Sequence, residues 1–471
     1  MQTNPALYIP PRPAAPLDEL GFFAFLRAIR GNALTMWTRD AYSQDTMVRR
    51  FLGRSTMLLN TPDAIRHVLV DNPGNYRRSP ASIRILRPIA GKGLLLSEGD
   101  DWRHQRRTIA PALAPRNLPM LARHIVACAQ ESIADLAAQT SDPVNMLSAM
   151  QNLALTIAGR SMFSLEMRQH GAAMRGLLTE YGLHYAQPHL FDIVLPPSIP
   201  TLRDLRRRLF QRRWMGLMQR IMRERLAAPA TDTPRDLFDL LLVARDPETG
   251  EGFSQTQLRD QVATMILAGH ETTAVALFWS LVLLCGAPAE QQNVADEVRQ
   301  IDITPDTAMD ALPRLVHTRA VISETLRLYP PAFTLVRQAI GADRFGTIDI
   351  PHGTILMIAP WVLGRHRQLW RDPDAFDPSR FLPGAPPIPR FAYLPFGDGP
   401  RICVGAQFAL TEATLVLAAI IQAFDVKLDE APPLPVAIVT TQPDHPPRFR
   451  LRARVGWVER SETHHAPHVP K

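Results

Sequence analysis

Apolar side chains recur at helical spacing along most of this chain, and only a few short stretches alternate as strands do. The clearest helix opens at Phe253-Ser-Gln-Thr-Gln-Leu258. Ser254 and Gln257 form a capping box there, and Phe253 and Leu258 are spaced as a hydrophobic staple. No stop signal follows until Gly286-Ala-Pro288, so the spacing predicts a helix of roughly 32 residues, on the order of 48 Å long. Its second half is apolar on nearly every face, which predicts passage through the core. Gly269 followed by Thr272 and Thr273 predicts a local opening or kink, where a hydroxyl competes for a backbone carbonyl. A second buried helix is predicted over 406–424.

Elsewhere, 48–52 and 55–59 flank Gly53 as two strands, and 332–338 and 353–358 alternate in the same way. Thr61 caps a helix with Pro62 in its first turn. Residues 80–99 read as irregular, a helix starts near Asp101, and helical patterns fill 117–182. A loop holding Pro188, Pro196, Pro197 and Pro200 separates these from an arginine-rich helix that runs to Leu226. Its basic stretch, 203–214, reads as the solvated face of an amphipathic helix. Residues 370–395 are rich in proline and aromatics without a period, and short strands follow 430. The fold class is mainly α with a small β-sheet subdomain. The chain divides into a proline-rich segment (1–29), one large domain (30–455) and a tail without apolar period (456–471).

Composition narrows the function. Three scattered cysteines among 471 residues (Cys128, Cys285, Cys403) offer neither a disulfide framework nor paired zinc-ligand spacing, which points to a reducing, cytoplasmic setting. The start of the chain has no charged n-region and apolar h-region. The longest apolar run, 274–285, is too short to span a bilayer, so no membrane anchor is expected. The net charge of +7 could suit nucleic acid, but no nucleic-acid motif accompanies it and no such partner is expected.

Chemistry concentrates at Phe396-Gly-Asp-Gly-Pro-Arg-Ile-Cys-Val-Gly405. Cys403 sits just before the N-terminus of the second buried helix, where unpaired N–H groups favour a thiolate. Gly399 and Gly405 allow close backbone approach, and Arg401 can pair with an anion beside the same loop. The pattern F-x-x-G-x-R-x-C-x-G, filled by Phe396, Gly399, Arg401, Cys403 and Gly405, resembles the haem-binding loop of the cytochrome P-450 family.

Three further motifs occur in that family's order. Trp102 and Arg106 form W-x-x-x-R on one helical face. Ala268-Gly-His-Glu-Thr-Thr273 resembles A-G-x-[DE]-T-T, a carboxylate beside a hydroxyl as proton delivery requires. Glu324 and Arg327 form E-x-x-R, with Arg380 further on; the resemblance makes these a buried structural triad, Ser379 standing where the family usually has an acid. The resemblance spans about 30–455 and implies a soluble, bacterial-type haem-thiolate monooxygenase with haem b. Cys403 would be its iron ligand, and Trp102, Arg106, Ala268, Arg337, Phe396, Arg401 and Gly405 would contact the cofactor. Thr272 would orient water and Glu271 relay protons. Ile89, Ala268, Ala332, Phe333, Thr334 and Thr440 map onto segments lining the substrate pocket, which favours a lipophilic molecule. Electrons would come from a separate ferredoxin or flavodoxin with its reductase, one oxygen atom of O2 would enter the substrate, and the protein would act as a monomer. The proline-broken helix pair would be a mobile lid. A peroxide-driven peroxygenase, an isomerase or a haem sensor are the alternatives, none of which needs the Glu271–Thr272 pair.

Overall fold

From the N-terminus the chain forms α1 (Phe22–Gly31), the strands β1 (Thr46–Phe51) and β2 (Arg54–Leu59), α2 (Pro62–Arg66) and β3 (Tyr76–Arg78). Then come α3 (Pro80–Ala90), α4 (Gly99–Ile109), α5 (Leu118–Ala137), the two-residue β4 (Val144–Asn145), α6 (Met146–Phe163), α7 (Gly171–His184), α8 (Leu190–Val194), α9 (Leu202–Ala227) and α10 (Leu237–Val243). The longest helix, α11 (Gln255–Gly286), leads to α12 (Pro288–Val298), α13 (Ala308–Ala311) and α14 (Val316–Leu328). Strands β5 (Leu335–Ala339), β6 (Asp343–Phe345), β7 (Ile348–Ile350) and β8 (Ile355–Ile358) precede α15 (Pro360–Leu363) and α16 (Ala406–Ala423). The chain closes on β9 (Phe424–Leu428), β10 (Pro435–Ala437), β11 (Thr441–Pro443) and β12 (Arg448–Ala453). The structure, a computed structural model, describes residues 7–454 apart from 52–53, 140–141, 165–169, 197, 228, 230 and 232. Gly53, Pro197 and the 456–471 tail lie outside the described residues.

Helix α11 carries the architecture. Ser254 Oγ accepts from Gln257 N–H at 3.2 Å and the Gln257 side chain returns the bond to Ser254 N–H at 2.9 Å, the capping box its sequence dictates. Residues Ala274–Leu284 are all buried, in one apolar cluster with α5, α6, α14 and α16. Leu258, Val262, Ala263 and Ile266 instead belong to a second cluster with α3, α9 and α10. The second half of α11 is enclosed by the first of these clusters, which is why it is apolar all round. Each fully buried Leu, Val or Phe there stabilises the fold by about 1.5–3 kcal/mol. Helices α11 and α16 are long and apolar enough to cross a membrane, yet 72 % and 67 % of their most apolar windows are buried inside the protein, so core packing explains their composition.

The main sheet runs β1-β2-β8-β5-β3, antiparallel except for the parallel pair β2–β8, where Thr56, Met57 and Leu58 lie opposite Ile355, Leu356 and Met357. A smaller sheet, β4-β12-β9, and the hairpin β10–β11 pack near the far end of α11.

Three expectations need correction. Residues 80–90 are helical, not irregular: Ser79 Oγ accepts from Ser82 N–H at 3.1 Å, and Pro80 occupies the first turn, where its missing N–H costs nothing. The basic stretch of α9 is not simply a solvated face, because Arg207 is 1 % exposed and donates to both Asp192 oxygens at 2.6 and 3.0 Å. Finally, α11 is helical without interruption through Gly269–Thr273.

Candidate active site

The loop before α16 is closed by Cys403 N–H donating to the Phe396 carbonyl at 2.9 Å. Gly399 has φ +70°, and a Cβ there would stand 2.0 Å from the Leu69 carbonyl oxygen, so glycine is required. Gly405 differs from expectation. It caps α16 at φ −93°, and a Cβ would meet nothing within 4 Å, so the polypeptide alone does not demand glycine. Cys403 is an exposed free cysteine. Desolvation by the surrounding protein raises its thiol pKa, opposed by the hydrogen bond from Gly405 and by the Arg106 charge.

Helix α4 is fastened to this loop by the two residues its motif singled out. Arg106 Nη1 donates to the Ile402 carbonyl at 2.8 Å. The Arg401 guanidinium lies 4.5 Å from the centre of the Trp102 ring. Arg401 also donates to the Ser97 carbonyl at 3.1 Å and pairs with the Glu98 carboxylate. Arg337, on β5, is 7 % exposed. Burial and the Arg401 charge push its pKa down to about 10.

A residue the sequence reading missed joins them. Arg78, at the end of β3, donates its N–H to Glu98 Oε1 at 3.0 Å, while its Nε is buried without a partner. Desolvation, Arg337 and Arg401 lower its pKa to about 9. Three guanidinium groups thus share one carboxylate, and the surplus positive charge calls for anions.

On the other side, Ala268 is exposed although it lies mid-way along α11 between the buried Ile266 and His270. An accessible methyl group in the middle of a core helix marks an internal opening. Thr272 Oγ1 donates to the Ala268 carbonyl at 2.6 Å, the competing bond its sequence anticipates, formed without breaking the helix. Burial lifts the Glu271 pKa to about 6, against hydrogen bonds from Gln442 and Gln151 that lower it. Met265 and Leu267 of α11 pack in the same apolar cluster as Trp102, Val404 and Phe408, which brings the two sides together.

The pocket residues divide. Ala332 is exposed; Thr334 and Thr440 are half-buried and Phe333 is buried. Ile89 has no accessible surface, and its carbonyl accepts from Trp214 Nε1 at 2.7 Å, so it ties α3 to α9 rather than facing an opening.

The triad is assembled behind the loop. Arg327 donates Nε and Nη2 to the two oxygens of the fully buried Glu324, each at 2.6 Å, and Arg380 Nε lies 3.5 Å from Glu324 Oε1. Arg327 also holds the Pro373 and Ala375 carbonyls, at 2.6 and 2.7 Å. These bonds fix the irregular 370–395 stretch that delivers the cysteine loop.

The family model for cytochrome P450 matches residues 11–445. The chain belongs to the cytochrome P450 family. Cyclooctatin synthase of Streptomyces melanosporofaciens is 33 % identical over 80 % of this chain and 82 % of its own. A putative cytochrome P450 132 of Mycobacterium bovis is 30 % identical over 90 % and 92 %. The crystal structure of the cytochrome P450DA heme domain superposes with a TM-score of 0.80 at 25 % identity, covering 95 % of this chain and 98 % of that one.

Cytochrome P450 membership implies haem b held by a cysteine thiolate. The residues present fit that group. The exposed thiol stands at the end of a closed loop, open space lies beside Gly405, and Ala268 leaves room in α11. The surplus of guanidinium charge suits two carboxylates. Arg78 and Glu98 carried no local signal, because each gains meaning only from partners distant in sequence.

Proposed function

We propose that this cytochrome P450 is a monooxygenase that inserts one atom of O2 into a lipophilic substrate, by hydroxylation or epoxidation, and releases the other as water. The observation that carries the reading is the accessible Cys403 beside an under-neutralised group of arginines. Cys403 would hold the haem, with Arg78, Arg106, Arg337 and Arg401 neutralising its propionates. When bound, haem supplies the activation of O2, made easier by electron donation from the thiolate. The rest falls to side chains. Ala268 gives the substrate access over the centre of α11, Thr272 holds water there, and Glu271 exchanges protons with that water at its carboxyl oxygens. The two electrons come from a ferredoxin or flavodoxin with its reductase, and the net charge of +7 favours an acidic donor.

Ala268, Ala332, Phe333, Thr334 and Thr440 give a mostly apolar lining with two hydroxyls, and this supports a lipophilic substrate. One relative, 30 % identical, is named cyclooctat-9-en-7-ol 5-monooxygenase. That name favours terpenoid alcohols in a first ligand panel. The test is turnover under isotopically labelled O2 with a surrogate ferredoxin, alongside the spectrum of the reduced carbonyl complex. Label in the product and a thiolate-type spectrum lost in Cys403→Ser support the reading. Unlabelled product, or a thiolate spectrum that survives Cys403→Ser, would overturn it.

A further inference from the structure

Glu271 is held by amides rather than by cations. On its outer side, Gln442 of β11 donates one Nε2 hydrogen to Glu271 Oε1 and the other to Thr440 Oγ1, the latter at 3.1 Å. From α6, the Gln151 side chain donates to the same carboxylate. On its own helix, His270 Nδ1 stands 3.8 Å from Glu271 Oε2, but the ring is buried and neutral. Desolvation and the Arg175 charge from α7 hold the His270 pKa down to about 4, against a raising hydrogen bond at Gln151. Among the described residues, no arginine or lysine pairs with Glu271.

The backbone that presents Gln442 is fixed on both sides. Trp279, two turns along α11 from Glu271, donates Nε1 to the Thr441 carbonyl at 2.7 Å. Thr441 Oγ1 donates to the Pro330 carbonyl at 2.7 Å, and Thr441 is fully buried. The partner strand β10 is pinned by Asn32, which donates to the Pro435 carbonyl at 2.9 Å and accepts from Ala437 N–H at 3.1 Å. The hairpin therefore meets α11 at two points: through its backbone at Trp279 and through the Gln442 side chain at Glu271.

We propose that Gln442 is a positioning residue for proton delivery: its amide fixes the Glu271 carboxyl between α11 and the β10–β11 hairpin while leaving it able to take up and release a proton. This rests on the reading of Glu271 as the proton-relaying acid. The chemistry of the donor decides the argument. An arginine at 442 would keep the carboxylate permanently ionised. An apolar side chain would leave the buried carboxylate with the Gln151 amide alone, and the proton would be held to higher pH. A neutral amide supports the ionised form only modestly, so both protonation states remain accessible near neutral pH. That is the condition for an acid that must be reloaded at every turnover. The second Nε2 hydrogen, on Thr440, joins the acid to a residue mapped to the substrate side.

The test is an infrared titration of the protonated Glu271 carboxyl in the ferric holoenzyme, assigned by its absence in Glu271→Gln. It is run beside the pH dependence of product formed per reductant consumed. Gln442→Met removes the donor, and the carboxylate loses support. The infrared midpoint moves to higher pH by on the order of one unit, and the alkaline fall in coupling moves with it. Gln442→Asn, which keeps the amide but cannot reach, shifts both in the same direction. An infrared midpoint in Gln442→Met equal to that of the parent overturns the proposal. So does loss of the haem spectrum in both variants, which would make Gln442 a folding residue. Undiminished coupling in Glu271→Gln would instead remove the relay reading itself, whatever the titration shows.

Discussion

Arg84 on α3 is bound to Asp204 on α9, its Nε donating to Asp204 Oδ1 at 3.1 Å and its Nη2 pairing with Oδ2. The same guanidinium donates to the Ile199 carbonyl at 2.7 Å and to the Phe191 and Leu195 carbonyls at 3.3 and 3.4 Å. One side chain thereby fastens the connection between α8 and α9, the segment expected to be a lid, onto α3. Replacing Arg84 by Met should release that connection at a cost of about 2 kcal/mol. Ligand association and dissociation should both accelerate several-fold with little change in Kd. Stopped-flow optical mixing reads both rates; unchanged rates would show that α8–α9 does not limit entry.

Arg78 should act in opposite directions with and without cofactor. Its buried, partnerless Nε and its like-charged neighbours penalise the haem-free protein. Arg78→Met is expected to raise the stability of the haem-free protein by about 1 kcal/mol while accelerating haem loss to a scavenging apoglobin. Calorimetry and the scavenging rate check the two halves separately.

Thr272→Ala removes the hydroxyl that bonds the Ala268 carbonyl. Haem content and ligand-induced spectral shifts should persist, and a larger share of reductant should end as hydrogen peroxide. Assay of peroxide and product against reductant consumed decides it, and unchanged coupling would dismiss the water-orienting role.

Burial raises the Glu271 pKa from 4.5 to about 6. A carboxyl whose folded pKa lies above its unfolded value favours folding fully below the unfolded pKa, and that contribution is lost as pH rises through the folded one. Glu271→Gln, which cannot ionise, should therefore stabilise the protein by about 2 kcal/mol near pH 8 and by nearly nothing near pH 4. Thermal midpoints of parent and variant at the two pH values test the sign.

Glu324→Ala strands Arg327 in a fully buried site and should cost about 3–5 kcal/mol. Because Arg327 holds the stretch leading to Cys403, the expected product is a chain with little haem bound. Expression with excess haem, followed by the reduced carbonyl spectrum, measures the loss.

Legibility in the sequence followed the range of each interaction. The Ser254–Gln257 box and the Glu324–Arg327 pair lie within one helical turn, and both form as read. Helix α3 was obscured by Pro80 and Pro88, although Ser79 followed by Pro80 is itself a helix-start signal. Arg207 looked solvated because its neutralising partner, Asp192, lies across the proline-rich loop. Arg78, Glu98, Gln151 and Gln442 could not be found locally, since each acts through a partner that only the tertiary fold supplies. At Gly405 the sequence reading combined backbone freedom with cofactor contact; the φ is ordinary, so only the open space beside it distinguishes the position.

The parallel pairing of β2 with β8 sets an order of assembly. Strands β1 and β2 pair locally as an antiparallel hairpin, but the other edge of β2 pairs with residues 355–357, made much later in the chain. Until then the growing chain presents an unsatisfied strand edge, open to pairing with another molecule. Overproduction that outruns completion of β8 should favour aggregation seeded from the N-terminal hairpin. Slower translation ahead of β8 would prolong that exposure rather than relieve it.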